Sequence, residues 1–201
     1  MPTLGRLAAG VAGDEPLWRA ASLLDESSSR EVAGKYLRSL RDGAAKGVLR
    51  ISDKSPLNYF QLAFACVLFP AARVVHCQRS APDNALSIWM ENFGPEQRYA
   101  TDFDDLAFFR AEYQRLMSHW RPVLPLQILD LQYETTVADL GGQARRLVEF
   151  LGAPWDERCL DFHNSRRAVQ TPSRWQVRQP IYSGSVERWR AYAEHLPEMQ
   201  R

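Results

Sequence analysis

Short apolar runs alternate with helix-length segments along the middle of this sequence, and this pattern restricts the fold strongly. Residues 48–52, 73–78 and 127–132 are short apolar runs followed by polar residues, as is typical of buried strands. Residues 58–69 are almost continuously apolar and end at Pro70, which predicts a helix packed against a sheet. A strand, a helix and a second strand in this order form a unit of a parallel sheet. We therefore predict an α/β fold with a parallel sheet flanked by helices.

Apolar residues recur at helical spacing in several further segments. The additional predicted helices cover residues 1–47, 82–93, 101–124, 137–151 and 185–196. Residues 163–184 have no periodicity and are rich in Arg, Ser, Gln and Pro, which predicts a long surface segment. The length fits a single domain over residues 1–201.

Charge and cysteine content argue against several classes of protein. Lys and Arg number 25 and Asp and Glu number 24, so no overall field attracts nucleic acid or an anionic membrane. The longest apolar stretch, residues 62–70, is too short to span a bilayer. The widely spaced Cys66, Cys77 and Cys159 predict buried free thiols in a cytoplasmic protein. We expect neither nucleic acid nor a membrane as a partner, and any anion site must be built locally.

Polar residues follow each of the three predicted strands. They are DKS at 53–55, RS at 79–80 and YET at 133–135. Ligands of open parallel sheets bind beyond the carboxyl ends of the strands, so Lys54 and Arg79 are predicted to face one crevice. Arg79 can hold a phosphate with two donors, and Ser87 on the following helix can add a hydroxyl. The alternative is that Arg79 forms a salt bridge with Asp83 and binds no ligand.

Three stretches carry a resemblance to a known family. They read, in chain order, FPAARVVHCQRSAPDNALSIWMENF, LQYETTV and QVRQPIYSGSVERW. From about Leu4 to His195 the sequence resembles the sulfotransferases that depend on 3′-phosphoadenosine 5′-phosphosulfate (PAPS). The bacterial group often fused to tetratricopeptide repeats and the tyrosylprotein sulfotransferases are the most similar. The resemblance implies the P-loop-NTPase-like sulfotransferase fold, and PAPS as co-substrate without a metal.

The resemblance also implies roles for individual residues. In that family an arginine at a strand end and a serine eight positions later bind the 3′-phosphate, and these are Arg79 and Ser87 here. Tyr133 stands where the family's tyrosine contacts adenine, although Thr135 replaces the usual aspartate. Lys54, in the loop DKSPLN, is implied to lie near the phosphosulfate or the acceptor. A basic lid over the nucleotide is implied at Ser173, Gln176, Arg178, Ser185 and Arg188.

One part of the family's pattern is absent from the sequence. The resemblance implies a glycine-rich loop between a first strand and its helix, which cradles the 5′-phosphosulfate with backbone amides. Residues 5–10 contain two glycines, but they follow no strand and lack the loop's Ser/Thr pair. We therefore expect a partial sulfotransferase domain that lacks its first strand, its phosphosulfate loop and its general base.

The histidines favour structural roles. His76 lies within a predicted strand and is interpreted as a satisfied core histidine rather than a base. His119 and His163 have no carboxylate or cysteine at ligand spacing, which argues against a metal site. The sequence contains neither the G-x-S-x-G elbow of serine hydrolases nor the phosphate-binding signature of nucleotide kinases.

Two functions remain open from the sequence. The first is transfer of a sulfuryl group from PAPS to a hydroxyl or amine of a small molecule or peptide, with Lys54 stabilising charge on the bridging oxygen. The second is a non-catalytic remnant or pseudoenzyme that binds nucleotide or a partner chain without turnover. A missing first strand leaves an unpaired sheet edge, so we also expect a homo-oligomer or a complementing chain.

Overall fold

The structure is a computed structural model, and it describes residues 3–42, 44, 47–48, 50–91, 93–94, 97–165 and 176–194. The chain divides into two compact units, each assembled from two separate stretches of sequence. The first unit comprises Met1–Ala72 and Glu112–Gln127, and the second comprises Arg73–Ala111 and Ile128–Arg201. The candidate residues are therefore shared between the units, since Lys54 belongs to the first and Arg79 to the second.

Helical segments form the beginning of the first unit. Helix α1 (Leu4–Ala12) is capped by Thr3, whose hydroxyl accepts a hydrogen bond from a backbone amide of the first turn. A 3-10 helix follows at Leu17–Leu23, and α2 (Glu26–Arg41) begins at a capping box built on Asp25. The prediction of helix in this region is confirmed, although the helix is broken into three pieces.

Small side chains form much of the core of the first unit. One buried cluster consists of Ala8, Ala12, Ala20, Phe64 and Leu68, and a second consists of Leu4, Tyr36 and Ala65. Helix α3 (Leu62–Leu68) follows a 3-10 turn at Asn58–Gln61, which confirms the helix predicted over residues 58–69. Because residues 5–10 lie inside α1 and contribute Ala8 to this core, they do not form a phosphate-binding loop.

The strand predicted at residues 48–52 is wrong in the part that the structure describes. Residues 48 and 50–52 have no strand conformation. Val48 and Ile51 keep 45% and 37% of their surfaces exposed, so burial of these side chains does not drive the segment into a sheet. The described residues of the apolar run therefore form a loop, and Lys54 follows a loop rather than a strand.

A two-stranded sheet forms the framework of the second unit. Strand β1 (Arg73–Gln78) pairs in parallel with β2 (Gln127–Gln132), and both strands have the predicted bounds. Helix α4 (Ala81–Trp89) follows β1, and α6 (Tyr133–Ala138) follows β2. The carboxyl ends of the two strands therefore lead directly into helices. The α/β class is confirmed, with a mostly helical chain and a small parallel sheet in the described residues.

The other long helices agree with the sequence except at one break. Helix α5 (Phe103–Val123) matches the helix predicted over residues 101–124. The helix predicted over residues 137–151 is instead divided between α6 and α7 (Leu140–Phe150). They separate at Asp139, whose φ of −141° and ψ of 74° are not helical and whose side chain caps α7. Within the described ranges, no helix is both long and apolar enough to cross a bilayer.

The helix predicted over residues 185–196 is wrong over its described part. Residues Arg188–Tyr192 form a 3-10 helix instead. The residue before it, Glu187, is left-handed, with φ of 56° and ψ of 20°. A left-handed residue does not continue a right-handed helix, so no helix runs through from residue 185.

Candidate functional site

A cavity of about 310 Å³ lies in the second unit, beside the corner where β1 leads into α4. It is lined by Cys77, Gln78, Arg79, Asp83, Asn84, Leu86, Ser87, Tyr133, Gln176, Tyr182, Ser185 and Arg188. This set includes six of the residues that the sequence proposed, namely Arg79, Ser87, Tyr133, Gln176, Ser185 and Arg188. A cavity of this volume falls in the range of small-molecule sites.

Arg79 is held in the cavity wall by two contacts. Its Nη2 atom donates a hydrogen bond of 2.6 Å to the carbonyl oxygen of Ser185. Its guanidinium carbon lies 5.0 Å from the centre of the Tyr133 ring, as in a cation–π contact. The Nε atom of Arg79 is buried and has no acceptor in the part of the chain that the structure describes. Because an arginine has five N–H donors, this side chain retains donors for an anion such as a phosphate.

The alternative role for Arg79, a salt bridge with Asp83, is wrong. The Asp83 carboxylate instead accepts hydrogen bonds from the Ser80 hydroxyl at 3.0 Å and from the amides of Glu187 and Trp189 at 2.7 and 2.9 Å. Asp83 is 1% exposed, and no ion pair joins it to Arg79 within the described residues. The positive charge of Arg79 is therefore not neutralised by this neighbour.

Ser87 lies one turn beyond Asp83 on the same face of α4. It is exposed and lines the same cavity as Arg79. The strand-to-helix corner thus brings the guanidinium and the hydroxyl to one cavity wall, as their spacing in the sequence suggested. That they bind a phosphate stays a prediction.

Glu134 is a carboxylate near Arg79 that accepts its hydrogen bonds from other residues. Its Oε1 atom accepts from the Ser80 amide at 2.8 Å, and its Oε2 atom accepts from the Gln132 side chain at 2.6 Å. Burial raises the pKa of Glu134, but these hydrogen bonds and the Arg79 charge outweigh burial and hold the pKa below its usual value. Glu134 is therefore ionised at neutral pH, and it ties the loop after β1 to the first turn of α6.

The C-terminal segment contributes part of the predicted lid to the cavity wall. The lining residues from this segment are Gln176, Tyr182, Ser185 and Arg188. Arg178 does not line the cavity, and its guanidinium donates a hydrogen bond to the carbonyl oxygen of Ser165. Ser173 lies outside the described residues. The proposed roles of these side chains toward a nucleotide stay predictions.

Lys54 lies on an exposed loop of the first unit. Asp53 holds this loop, because its Oδ2 atom accepts a hydrogen bond of 2.6 Å from the Tyr36 hydroxyl and one of 3.3 Å from the Asn58 side chain. Tyr36 is 3% exposed, and burial together with the Asp53 hydrogen bond raises the pKa of its hydroxyl well above the usual value. These contacts restrain Asp53, the neighbour of Lys54, and Lys54 itself is exposed.

His76 on β1 has a carboxylate partner on β2. Its Nδ1 atom lies 2.7 Å from a carboxylate oxygen of Asp130, and the Gln78 side chain donates to the same oxygen at 2.7 Å. His76 therefore has a hydrogen-bond partner within the fold, and its interpretation as a core histidine rather than a base stays a prediction. In the described ranges, no group of three or more His, Cys, Asp or Glu side chains is arranged to hold a metal.

The prediction that the three cysteines are buried is wrong for Cys77 and Cys159. All three are free thiols. Cys77 and Cys159 are exposed, and Cys66 is half-buried. The apolar neighbours of Cys77 in the sequence did not indicate its exposure, because the alternation of a strand turns successive side chains to opposite faces.

Asp83 is the residue of this site whose role the sequence did not reveal. Its position four residues after Arg79 and four before Ser87 placed it at the site, but only as a salt-bridge partner. Its backbone partners, Glu187 and Trp189, lie 104 and 106 residues further along the chain. No local pattern in the sequence connects residues so far apart.

Sequence comparison finds relatives of the chain. The model of the sulfotransferase family matches residues 11–157, a range that contains Lys54, Arg79, Ser87 and Tyr133. A protein of Aquifex aeolicus (strain VF5), described as an uncharacterized protein, is 34% identical over 189 residues. That alignment covers 92% of this chain and 25% of the relative, so the chain spans about a quarter of the relative's length.

Proposed function

Since the chain belongs to the sulfotransferase family, we propose that its second unit binds PAPS and that the chain transfers the sulfuryl group to a hydroxyl or amine. The observation that carries the proposal is the convergence of Arg79, Ser87 and Tyr133 on one cavity of about 310 Å³. Arg79 is the central residue, because its planar guanidinium can hold two oxygens of a phosphate at once.

The described residues fit the two ends of the adenosine part of PAPS. Arg79 has a buried Nε atom without an acceptor, and Ser87 places a hydroxyl in the same wall, which suits the 3′-phosphate. Tyr133 supplies the aromatic surface that suits adenine. Arg188 is an exposed cation of the same wall and suits the 5′-phosphosulfate. Arg178 is left out of this assignment because it contacts Ser165 and does not line the cavity.

The proposed reaction is an in-line displacement at sulfur. The bond between sulfur and the bridging oxygen breaks, a bond from sulfur to the acceptor oxygen or nitrogen forms, and the acceptor's proton passes to solvent water. Adenosine 3′,5′-bisphosphate leaves with the electron pair of the broken bond. We assign to Lys54 the stabilisation of the negative charge on the bridging oxygen, supported by the resemblance of its loop to the family's motif and by the exposure of the residue.

Nucleotide binding is tested by calorimetry with adenosine 3′,5′-bisphosphate and with adenosine 5′-monophosphate. We expect Arg79→Ala to raise the dissociation constant of the bisphosphate between about tenfold and a hundredfold, since hydrogen bonds to charged groups are worth about 1.5–3 kcal/mol. The same change should hardly affect the monophosphate, which lacks the 3′-phosphate. The matched control is Arg158→Ala, which removes an arginine that is exposed and paired with Asp156.

Two results would contradict the nucleotide site. One is no binding of the bisphosphate by the unaltered chain. The other is an equal loss of affinity for both nucleotides in Arg79→Ala, because that change would then act on something other than the 3′-phosphate.

Catalysis is tested separately, by following transfer from PAPS labelled in the sulfuryl group to a panel of hydroxyl and amine acceptors. Lys54→Ala should lower the rate of transfer and leave binding of adenosine 3′,5′-bisphosphate unchanged. The control is Lys35→Ala, because Lys35 is an exposed lysine of the same unit that pairs with Glu31. Binding without turnover on any acceptor would instead favour a non-catalytic nucleotide-binding protein.

A further inference from the structure

Asp83 connects the first turn of α4 to the C-terminal segment of the second unit. Its two carboxylate oxygens accept from the backbone amides of Glu187 and Trp189 at 2.7 and 2.9 Å, and one of them also accepts from the Ser80 hydroxyl at 3.0 Å. At 1% exposure, Asp83 is one of the two most deeply buried large side chains of the described structure. A buried carboxylate is tolerated at this depth because all of its bonds come from well-placed donors.

The backbone that Asp83 holds has an unfavourable conformation. Glu187, with φ of 56°, is the one non-glycine residue with positive φ within the described residues. A residue with a Cβ atom adopts this left-handed conformation only at a cost in free energy, and such a conformation persists where its surroundings hold it in place. The hydrogen bond from the Glu187 amide to Asp83 is one such restraint, and the bond from Trp189 closes the turn on its other side.

The turn that Asp83 holds forms one side of the cavity. Ser185 and Arg188 lie on either side of Glu187, and both line the cavity. Arg79 donates a hydrogen bond to the carbonyl oxygen of Ser185, so the same turn also orients the arginine assigned to the 3′-phosphate. A shift of residues 185–189 would therefore move Arg188 and release Arg79 together.

We propose that Asp83 is a positioning residue, which holds residues 185–189 in place around the left-handed residue Glu187 so that Arg79 and Arg188 face the anionic groups of the nucleotide. This inference rests on the proposed function, because it assigns an effect on nucleotide affinity. Asp83 itself binds no ligand in this proposal, since its oxygens are occupied by the two amides and the Ser80 hydroxyl.

The test uses Asp83→Asn, which keeps the size of the side chain but replaces one acceptor oxygen with a donor. We expect the amide protons of Glu187 and Trp189 to exchange at least about tenfold faster in the free protein, and the dissociation constant of adenosine 3′,5′-bisphosphate to rise about tenfold. The matched control is Asp104→Asn. It removes the same charge from the first turn of a helix, α5, and within the described residues Asp104 makes no hydrogen bond to residues 185–189. It therefore measures the effect of losing a first-turn charge alone.

A second variant separates positioning from a general loss of stability. Glycine adopts positive φ without strain, so Glu187→Gly stabilises the turn independently of Asp83. In the Asp83→Asn background, Glu187→Gly should restore a large part of the nucleotide affinity, whereas Glu187→Ala should not. A loss of affinity caused only by unfolding of α4 would not respond to the residue at position 187.

The outcomes distinguish this inference from the function on which it rests. If the unaltered chain does not bind the bisphosphate, the nucleotide site itself is wrong, and the positioning role is rejected with it. If the unaltered chain binds and Asp83→Asn binds equally well, only the positioning role is rejected. Unchanged exchange of the two amides in Asp83→Asn, or affinity that Glu187→Gly fails to restore, also rejects it.

Discussion

Two loops of this protein carry a cation shortly after an apolar run, and their structures differ. Arg79 follows the paired strand β1, and its guanidinium contacts Ser185 and the Tyr133 ring in a cavity wall. Lys54 follows a segment without strand conformation in its described residues, and its side chain is exposed. In this protein, the cation that follows the paired strand is held by contacts in a cavity wall, whereas the cation that follows the unpaired run is exposed.

An aspartate next to each loop accepts hydrogen bonds, but the donors and the burial of the two aspartates differ. Near Arg79, Asp83 is buried and accepts from two backbone amides, so it restrains the main chain directly. Near Lys54, Asp53 is exposed and accepts from the Tyr36 hydroxyl and the Asn58 side chain. Backbone restraint from a buried carboxylate should tolerate fewer substitutions than restraint by side chains at the surface.

The largest expected effect that tests this comparison is on stability at the β1–α4 corner. Leu86 is 1% exposed in α4, so Leu86→Ala should lower the free energy of unfolding by about 3 kcal/mol through lost burial and the cavity that it leaves. Ile51, beside Lys54, is 37% exposed, and Ile51→Ala should cost about 0.5 kcal/mol. Urea unfolding followed by circular dichroism measures both. Equal losses would show that the two regions are held equally firmly.

An intermediate effect is expected from exchanging the two kinds of cation. Arg79→Lys keeps the charge but loses the planar pair of donors, and it should weaken binding of adenosine 3′,5′-bisphosphate about tenfold. Lys54→Arg should change that affinity less than about twofold, because an exposed ammonium group acts as a point charge. Calorimetry with both variants decides the point, and an affinity unaffected by Arg79→Lys would argue against two-oxygen recognition of a phosphate.

The smallest expected effect is a pH dependence that belongs to the Arg79 corner. Because the folded structure lowers the pKa of Glu134, its ionised form stabilises the protein above the unfolded-state pKa, near 4.5, and this contribution is lost as the pH falls through the folded-state pKa. The urea midpoint should therefore fall less between about pH 7 and about pH 3 in Glu134→Gln than in the unaltered protein. An equal fall of the urea midpoint with pH in the two proteins would show that the hydrogen bonds to Glu134 do not favour its ionised form.

The fold was predictable from the sequence in those segments where the local pattern of residues matches the contacts that the segment makes in the folded chain. The bounds of β1 and β2 were correct because each apolar run ends at polar residues that open a helix. Helix α5 was correct because its apolar side chains recur at helical spacing over many turns. The corner at Arg79 was also predictable, since a strand end and the next helical turns are separated by fixed local geometry.

The errors share a different cause. The run at residues 48–52 has strand composition, but pairing of a strand depends on a distant partner rather than on the run itself. The break at Asp139 follows from a capping side chain that interrupts an otherwise continuous helical pattern. The segment after residue 185 was predicted as a helix, yet Glu187 is held left-handed through its bond to Asp83, more than a hundred residues earlier in the chain.

The sequence by itself determined the class of fold, the positions of β1 and β2, and the spacing of Arg79 and Ser87, because these depend on interactions between residues close in the chain. Tertiary structure alone decided that Asp83 binds the amides of Glu187 and Trp189 rather than Arg79, and that Ser185 and Arg188 line the cavity. The physical reason is that a buried carboxylate takes the best donors that the folded chain brings to it, and those donors come from the far end of the sequence.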